Sequence, residues 1–228
     1  MIFDMSYSDF RNYVYNQLNN FFPDEQFAND EIKREFDVAV QRTEKCFKCI
    51  SLPSYSDAYG QTYISPYHAD QYATFLYFLS NTIWESSKNK VICDKIISLN
   101  RLLHGFFYSY KCKLPDIFLF GHPLGSVIGN ACYHDFLVVF QNVTINTSQN
   151  ECGELAPYIG RGVFLGAGAK IIGNKTIGNR VSIGVNTTIY NREIPDDSIA
   201  YTDEEGQLIV KNREKNCQAQ SFFRVPIQ

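Results

Sequence analysis

Four apolar stripes run through the first half of the chain. Phe10, Val14, Leu18 and Phe21 recur at helical spacing, as do Ile32, Phe36, Val40, Thr43 and Phe47. Tyr72, Phe75, Leu76, Leu79 and Ile83 form a third stripe, and Ile92, Ile96, Leu99 and Leu103 a fourth. Side chains three or four apart share one helix face, so each stripe predicts a helix buried along one side. Asn29 or Asp30 suits the N-cap of the second helix, and His104-Gly105 the end of the fourth. Pro23, Pro53 and Pro66 mark the joints between them.

Beyond residue 113 the period changes to six. Ile159, Leu165, Ile171, Ile177, Ile183 and Ile189 fall on every sixth position without a miss. Neither a helix (3.6) nor a simple strand (2) repeats at six. A short strand and a turn per hexad does, and three hexads close a triangular coil of about 18 residues. The aliphatic beats then stack inside the coil. Glycines that follow a beat (Gly160, Gly166, Gly178, Gly184) and Asn174, Asn179 and Asn186 suit its corners, through a missing Cβ or a positive φ. Counting back in sixes from Ile145 gives Val139, Tyr133 and Val127, and this run is out of phase with the later one by two residues. Residues 146–157 are therefore expected to leave the rod as a loop, the usual place for function on a regular scaffold. The predicted architecture is α+β: an α-helical N-terminal domain (1–113), a short parallel β-helix (114–200) and a C-terminal tail (201–228). So short a rod needs the helices, or partner chains, to be stable.

Composition narrows the classes. The chain has 228 residues and a net charge of −3, with no long basic run, which argues against a nucleic-acid surface. No apolar run approaches the ~20 residues of a membrane span. Seven cysteines behind the polar start "MIFDMSYSDFRNY" predict reduced thiols in a cytoplasm.

The rod sequence resembles the hexapeptide-repeat acyltransferases, and within them the serine O-acetyltransferase branch. "GHPLGSVIG" (121–129) is similar to that branch's active-site stretch, "FQNVTI" (140–145) to the coil that follows, and "GVFLGAGAKIIGN" (162–174) to a later coil. The resemblance covers roughly residues 114 to 200 and implies a left-handed β-helix, acetyl-CoA as cosubstrate, and association as a homotrimer or a hexamer built of two trimers. It places His122 on the family's general base, and Gly166, Ala167, Gly184 and Val185 on coil corners that hold coenzyme A. It also shows departures. Gly121 stands where the serine enzymes have an aspartate, Leu155-Ala156 where they have an Arg-His pair, and Phe107 where an aspartate orients the base.

The residues themselves support the implied chemistry. His122 directly follows beat position 121, so alternation turns it out of the core, and imidazole can take a proton near neutral pH. Asp116, Asp135 and Glu154 are its candidate orienting carboxylates. His68 and Asp70 at a helix entry, with Asn142 and Glu154, are candidate acceptor contacts. His134 reads as a surface histidine and His104 as packing. Cys46-x-x-Cys49 has no second pair at zinc-ligand spacing and reads as an accident of an amphipathic helix; "TDEEGQ" (202–207) reads as a solvated turn. With the serine-binding charges replaced, the expected activity is O-acetylation of a sugar hydroxyl, on a surface polysaccharide or its precursor. Serine O-acetylation is the alternative, amino-sugar N-acetylation another, and a non-catalytic β-helix assembly protein a rival of a different class. A zinc hydratase on the same scaffold would need three converging histidines, whereas the rod offers His122 and His134.

Overall fold

The computed structural model describes residues 1–24 and 31–228. The expected N-cap at Asn29 or Asp30 lies outside them. The four stripes fold as α1 (Tyr7–Phe21), α2 (Glu31–Lys48), α3 (Ala69–Ser87) and α4 (Lys90–His104). Ser6 caps α1 by accepting the Asp9 N–H, and Asn89 caps α4 by accepting that of Ile92. α4 stops at Gly105, whose φ of 64° gives the left-handed turn that ends many helices. Phe21 and Leu103 are exposed rather than buried; both stand in the last turn of their helix.

α3 is buried continuously from Asp70 to Ile83. It packs against α2, α4 and the rod strand Phe118–Gly121, which is why it is buried all round rather than along one stripe. Two of its side chains, Asn81 and Tyr77, are paired with the start of the rod. Asn81 Nδ2 donates to the Tyr110 carbonyl (2.9 Å), Tyr77 O–H donates to that of Cys112 (3.1 Å), and the Leu114 N–H donates to Tyr77 Oη (2.8 Å). Helices and rod therefore share one core, tied across their junction by these buried hydrogen bonds.

From Phe107 onward the chain coils as a left-handed parallel β-helix with three columns of strands. The first column stacks Phe107–Tyr108, Val127–Ile128, Thr144–Ile145, Lys170–Ile172 and Thr188–Tyr190. The second stacks Phe118–Gly121, Leu137–Phe140, Phe164–Leu165, Ser182–Ile183 and Ser198–Thr202. The third pairs Cys132–Tyr133 with Tyr158–Ile159 and continues through single bridges to Ile177 and Ile194. All the beats from Tyr133 to Ile189 are buried. The beat expected at Val127 is corrected to Ile128: Ile128 registers on Ile145, so this coil is one residue short and Val127 faces out. The first parallel strand, at Phe107–Tyr108, lies ahead of the expected junction at 113/114.

The glycines after the beats answer to close approach rather than to φ. A Cβ on Gly160 would stand 2.5 Å from the Gly178 carbonyl oxygen, and one on Gly178 2.5 Å from the Asp196 nitrogen. Ile145 to Ile159 spans fourteen residues instead of six. The eight extra leave the rod as an antiparallel hairpin, Ser148–Gln149 against Leu155–Ala156. At the far end, Ser198–Thr202 turns through 203–207 and pairs back with Leu208–Asn212. The following segment straps the second column. Phe222 stacks on Phe164 (5.9 Å, 16°) and meets Phe140 edge-on, and the Arg224 guanidinium donates to the Ile50 carbonyl at the end of α2.

Candidate active site

His122 leaves the strand Phe118–Gly121 at the corner between the second and first columns. Its φ is 52°, a conformation few non-glycine residues adopt, and its side chain is 80% exposed. The beat expected at 121 is corrected to Phe120, which registers on the inward Val139; His122 faces out because the left-handed corner that follows the strand carries it away from the core. Nδ1 lies 3.3 Å from Asp70 Oδ2, and the Asp70 side chain is only 8% exposed. Asp70 sits in the first turn of α3, where the helix dipole favours a carboxylate. Its neighbour Gln71 pins the preceding loop, accepting the Ser65 N–H (2.7 Å) and donating to the Ser54 carbonyl (2.7 Å). A fixed, buried carboxylate thus holds one nitrogen of an exposed imidazole and leaves the other free to face a reactant.

None of the orienting carboxylates expected from the sequence meets His122. Asp116 pairs with Lys45 (2.6 Å). Asp135 accepts the Ile117 N–H (3.0 Å) and faces Arg161 (3.8 Å). Glu154 accepts from Asn150 (2.9 Å) within the hairpin. Phe107, at the position where the family has its aspartate, faces outward beneath the Arg101 guanidinium. The carboxylate comes instead from the helical half, which the rod's periodicity could not announce.

His68 and Tyr55 lie beside Asp70. The His68 Nδ1 and the Tyr55 hydroxyl are buried without a hydrogen-bond partner among the described residues, and their rings meet edge-on at 5.8 Å. Burial first, and the Asp70 carboxylate second, push the Tyr55 phenol well above its ordinary range. Tyr55 was not singled out by the sequence; only its burial next to Asp70 marks it. Asn142 lies on the His122 corner one coil further along, its N–H donating to the Leu124 carbonyl (2.9 Å).

Glu154 does not join this group within one protomer. It stands on the hairpin, at the edge between the first and third columns, beside a cavity of about 870 Å³ lined also by His134, Asp135 and Tyr158. His134 Nδ1 lies 3.0 Å from the Ile159 carbonyl oxygen and its ring leans on Tyr158 at 4.4 Å. His104 is packing: Nδ1 bonds Asn100 Oδ1 (2.6 Å), and burial holds its imidazole down at about 4. Cys46 clasps α2 to the rod, its thiol donating to the Phe118 carbonyl (3.1 Å) and pushed up to about 12 by burial.

The expected coenzyme contacts do come together. Gly166-Ala167 and Gly184-Val185 sit on the His122 corner in successive coils. Backbone bonds tie the corner lengthwise, Gly168 N–H to Gln141 C=O and Asn186 N–H to Ala167 C=O, both at 2.8 Å. Asn142 and Asn186 take the left-handed turns (φ 57° and 55°) and tuck their amides against Gly125 and Gly168, where a Cβ would collide. The result is a narrow edge of small side chains on which a long, flexible arm can lie. The departures at the acceptor end are also physical. A Cβ on Gly121 would come within 3.1 Å of the Phe140 ring, so that ring occupies the space an aspartate would need. Leu155 is exposed and Ala156 buried, and neither carries charge.

No protein-family model matches the chain. It is similar to the serine acetyltransferase of Staphylococcus xylosus, 29% identical over 126 residues, covering 54% of this chain and 57% of that protein. It is similar also to that of Synechococcus elongatus, 31% identical over 116 residues, covering 50% and 47%. The match thus spans about half the length of these curated relatives. The solved serine acetyltransferase from Vibrio cholerae superposes with a TM-score of 0.67, covering 92% of this chain and 81% of that one at 18% identity. The Neisseria gonorrhoeae enzyme in complex with serine gives 0.63, covering 86% and 81% at 18% identity. These structures share the fold, a helical domain followed by a left-handed β-helix. In sequence and in fold the chain resembles the serine O-acetyltransferase branch of the hexapeptide-repeat acyltransferases.

Proposed function

We propose that this protein is an acetyl-CoA-dependent O-acetyltransferase in which His122 is the general base. One observation carries the reading. An exposed imidazole is held at 3.3 Å by a buried carboxylate, at the end of a Gly/Ala-lined corner suited to a pantetheine arm. Asp70 fixes the ring through Nδ1, so Nε2 takes the proton of the acceptor hydroxyl as its oxygen attacks the thioester carbonyl. Asp70 then stabilises the imidazolium that forms, and His122 returns the proton to the leaving thiolate. Backbone N–H groups at the corners supply donors for the developing oxyanion. No enzyme nucleophile is needed.

For the acceptor, the relatives' names put L-serine first and nothing in them points to a surface polysaccharide. The sugar reading therefore becomes the second one. Its remaining support is local: Phe140 fills the place of the aspartate at 121, and Leu155-Ala156 offers no cation for a carboxylate. Copies are proposed to associate in threes, so that the hairpin of one rod, with Glu154, walls the His122 corner of the next. Sedimentation tests this, and a monomer with full activity would contradict it.

The experiment is acetyl transfer from acetyl-CoA to L-serine and to a panel of sugars, by wild type and His122→Ala. The variant is expected to lose about 10²–10⁴ in rate on the true acceptor while keeping fold and coenzyme affinity. Near wild-type turnover by a folded variant would sink the assignment of the base. Activity on sugars without activity on serine would select the second reading.

A further inference from the structure

Behind the Asp70–His122 pair lies a second tier of buried polar groups that the mechanism has not used. Tyr55 is 1% exposed, and its hydroxyl and the His68 Nδ1 find no hydrogen-bond partner among the described residues. Buried polar atoms left alone are rare, because each forgoes the hydrogen bonds it makes with water in the unfolded chain. Two at one place, beside a buried carboxylate whose charge acts on the Tyr55 phenol, mark a site rather than a defect. The local fold holds them there. Gln71, the neighbour of Asp70, donates to the Ser54 carbonyl (2.7 Å), which ties the turn carrying Tyr55 to the first turn of α3. The Tyr55 ring packs edge-on against Phe47 (4.7 Å) and against His68 (5.8 Å). His68 is the N-cap of α3, yet its side chain caps nothing and meets Tyr55 instead.

The protons of these groups fit one arrangement. Burial, then the Asp70 charge, keep the Tyr55 phenol protonated, so its hydroxyl can donate. Asp70 Oδ2 faces His122, and an ionised carboxylate only accepts. A water that accepts from Tyr55 has two hydrogens left to give. One goes to Asp70 and one to His68 Nδ1, with that ring carrying its own hydrogen on Nε2. Buried waters typically make about three such bonds to polar atoms that lack other partners. We infer that one ordered water joins Tyr55 Oη, His68 Nδ1 and Asp70, which makes Tyr55 and His68 positioning residues for His122. A carboxylate held at one oxygen can still turn about its own axis; with the second bond it keeps Oδ2 on the imidazole. The water orients, and no proton passes through it in the reaction. This rests on the proposed function in taking His122 as the base.

The test uses the full-length protein. Tyr55→Phe keeps the ring packing and removes the hydroxyl alone. An orphaned hydroxyl would make this variant more stable than wild type, whereas a hydroxyl bonded to water makes it less stable. The urea midpoint is therefore expected to fall. His68→Leu should also lower it, and the two together should cost less than their sum, because both remove one water. His68→Asn, whose amide places a polar atom where Nδ1 stood, should recover most of the loss. In acetyl transfer, Tyr55→Phe should lower kcat about three- to tenfold with the acetyl-CoA KM unchanged. It should cost little more in an Asp70→Asn background, since it acts through Asp70. A midpoint that rises or stays, or stability losses that add, would overturn the inference while leaving His122 as the base. So would an equal kcat loss with and without the Asp70 carboxylate. Coupled stability losses in a protein that acetylates no acceptor would keep the water and sink the activity.

Discussion

Replacing Asp70 by Asn tests whether a residue of the helical half sets the chemistry of the rod. The side chain keeps its size and loses its charge beside His122 Nδ1, 3.3 Å away. The carboxylate is buried but the imidazole is mostly exposed, so the effective dielectric lies between that of a protein surface and that of water. A unit-charge pair at this distance is then worth about 2 kcal/mol. The interaction is strongest when His122 is protonated, that is, after proton abstraction, so the loss should appear in kcat at roughly 30-fold. Coenzyme affinity should not change, because Asp70 lies off the Ala167–Val185 corner. The charge also favours the start of α3, so stability should fall by about 0.5–1 kcal/mol, enough to detect in urea without unfolding the protein. The assay is a double-mutant cycle on acetyl transfer, with Asp70→Asn made in both wild type and His122→Ala. The variant should cost about 30-fold in the first background and almost nothing in the second. An equal loss in both backgrounds would show that Asp70 supports only the fold, and no loss in wild type would remove it from the mechanism.

Other expectations follow from the packing. Trimming the hairpin 148–155 to a tight turn should leave melting and coenzyme binding near wild type and raise the acceptor KM or abolish turnover; unchanged kinetics would make the hairpin an ornament of the rod. Gly121→Asp should destabilise by about 1–3 kcal/mol in denaturant titration, because the new side chain enters space held by the Phe140 ring. His104 gives a stability slope with pH. Its imidazole takes a proton only near 4 when folded, because it is buried, and near 6.5 when unfolded. Between those values the unfolded chain binds more protons, so stability is complete above about 6.5 and falls as pH drops towards 4, by roughly 3 kcal/mol in all. His104→Gln should flatten that part of the urea-midpoint profile, and an unchanged slope would mean that another group titrates.

The periodicities of the sequence determined most of the architecture by themselves, because each reflects a local geometry. Apolar positions three and four apart specify helix faces, and beats six apart specify coil walls whose side chains must stack. The change of phase between Ile145 and Ile159 located the hairpin, since extra residues can leave a stacked rod only as a loop. Alternation counted from position 121 points His122 outward, but the inward line runs through Phe120, and it is the left-handed corner that turns His122 out. The register of Ile128 was not readable in this way, because a coil one residue short looks the same as a full one until it is laid against its neighbour. Nor was the partner of the base. Asp70 lies 52 residues before His122, on a helix with its own period, and the resemblance pointed to Phe107, which holds no carboxylate. Only the packing of α3 against the first full strand of the rod brings that carboxylate to the imidazole. The same holds for Tyr55, which meets Asp70 only through the shared core, because sequence patterns report the faces of single elements, not which elements face each other.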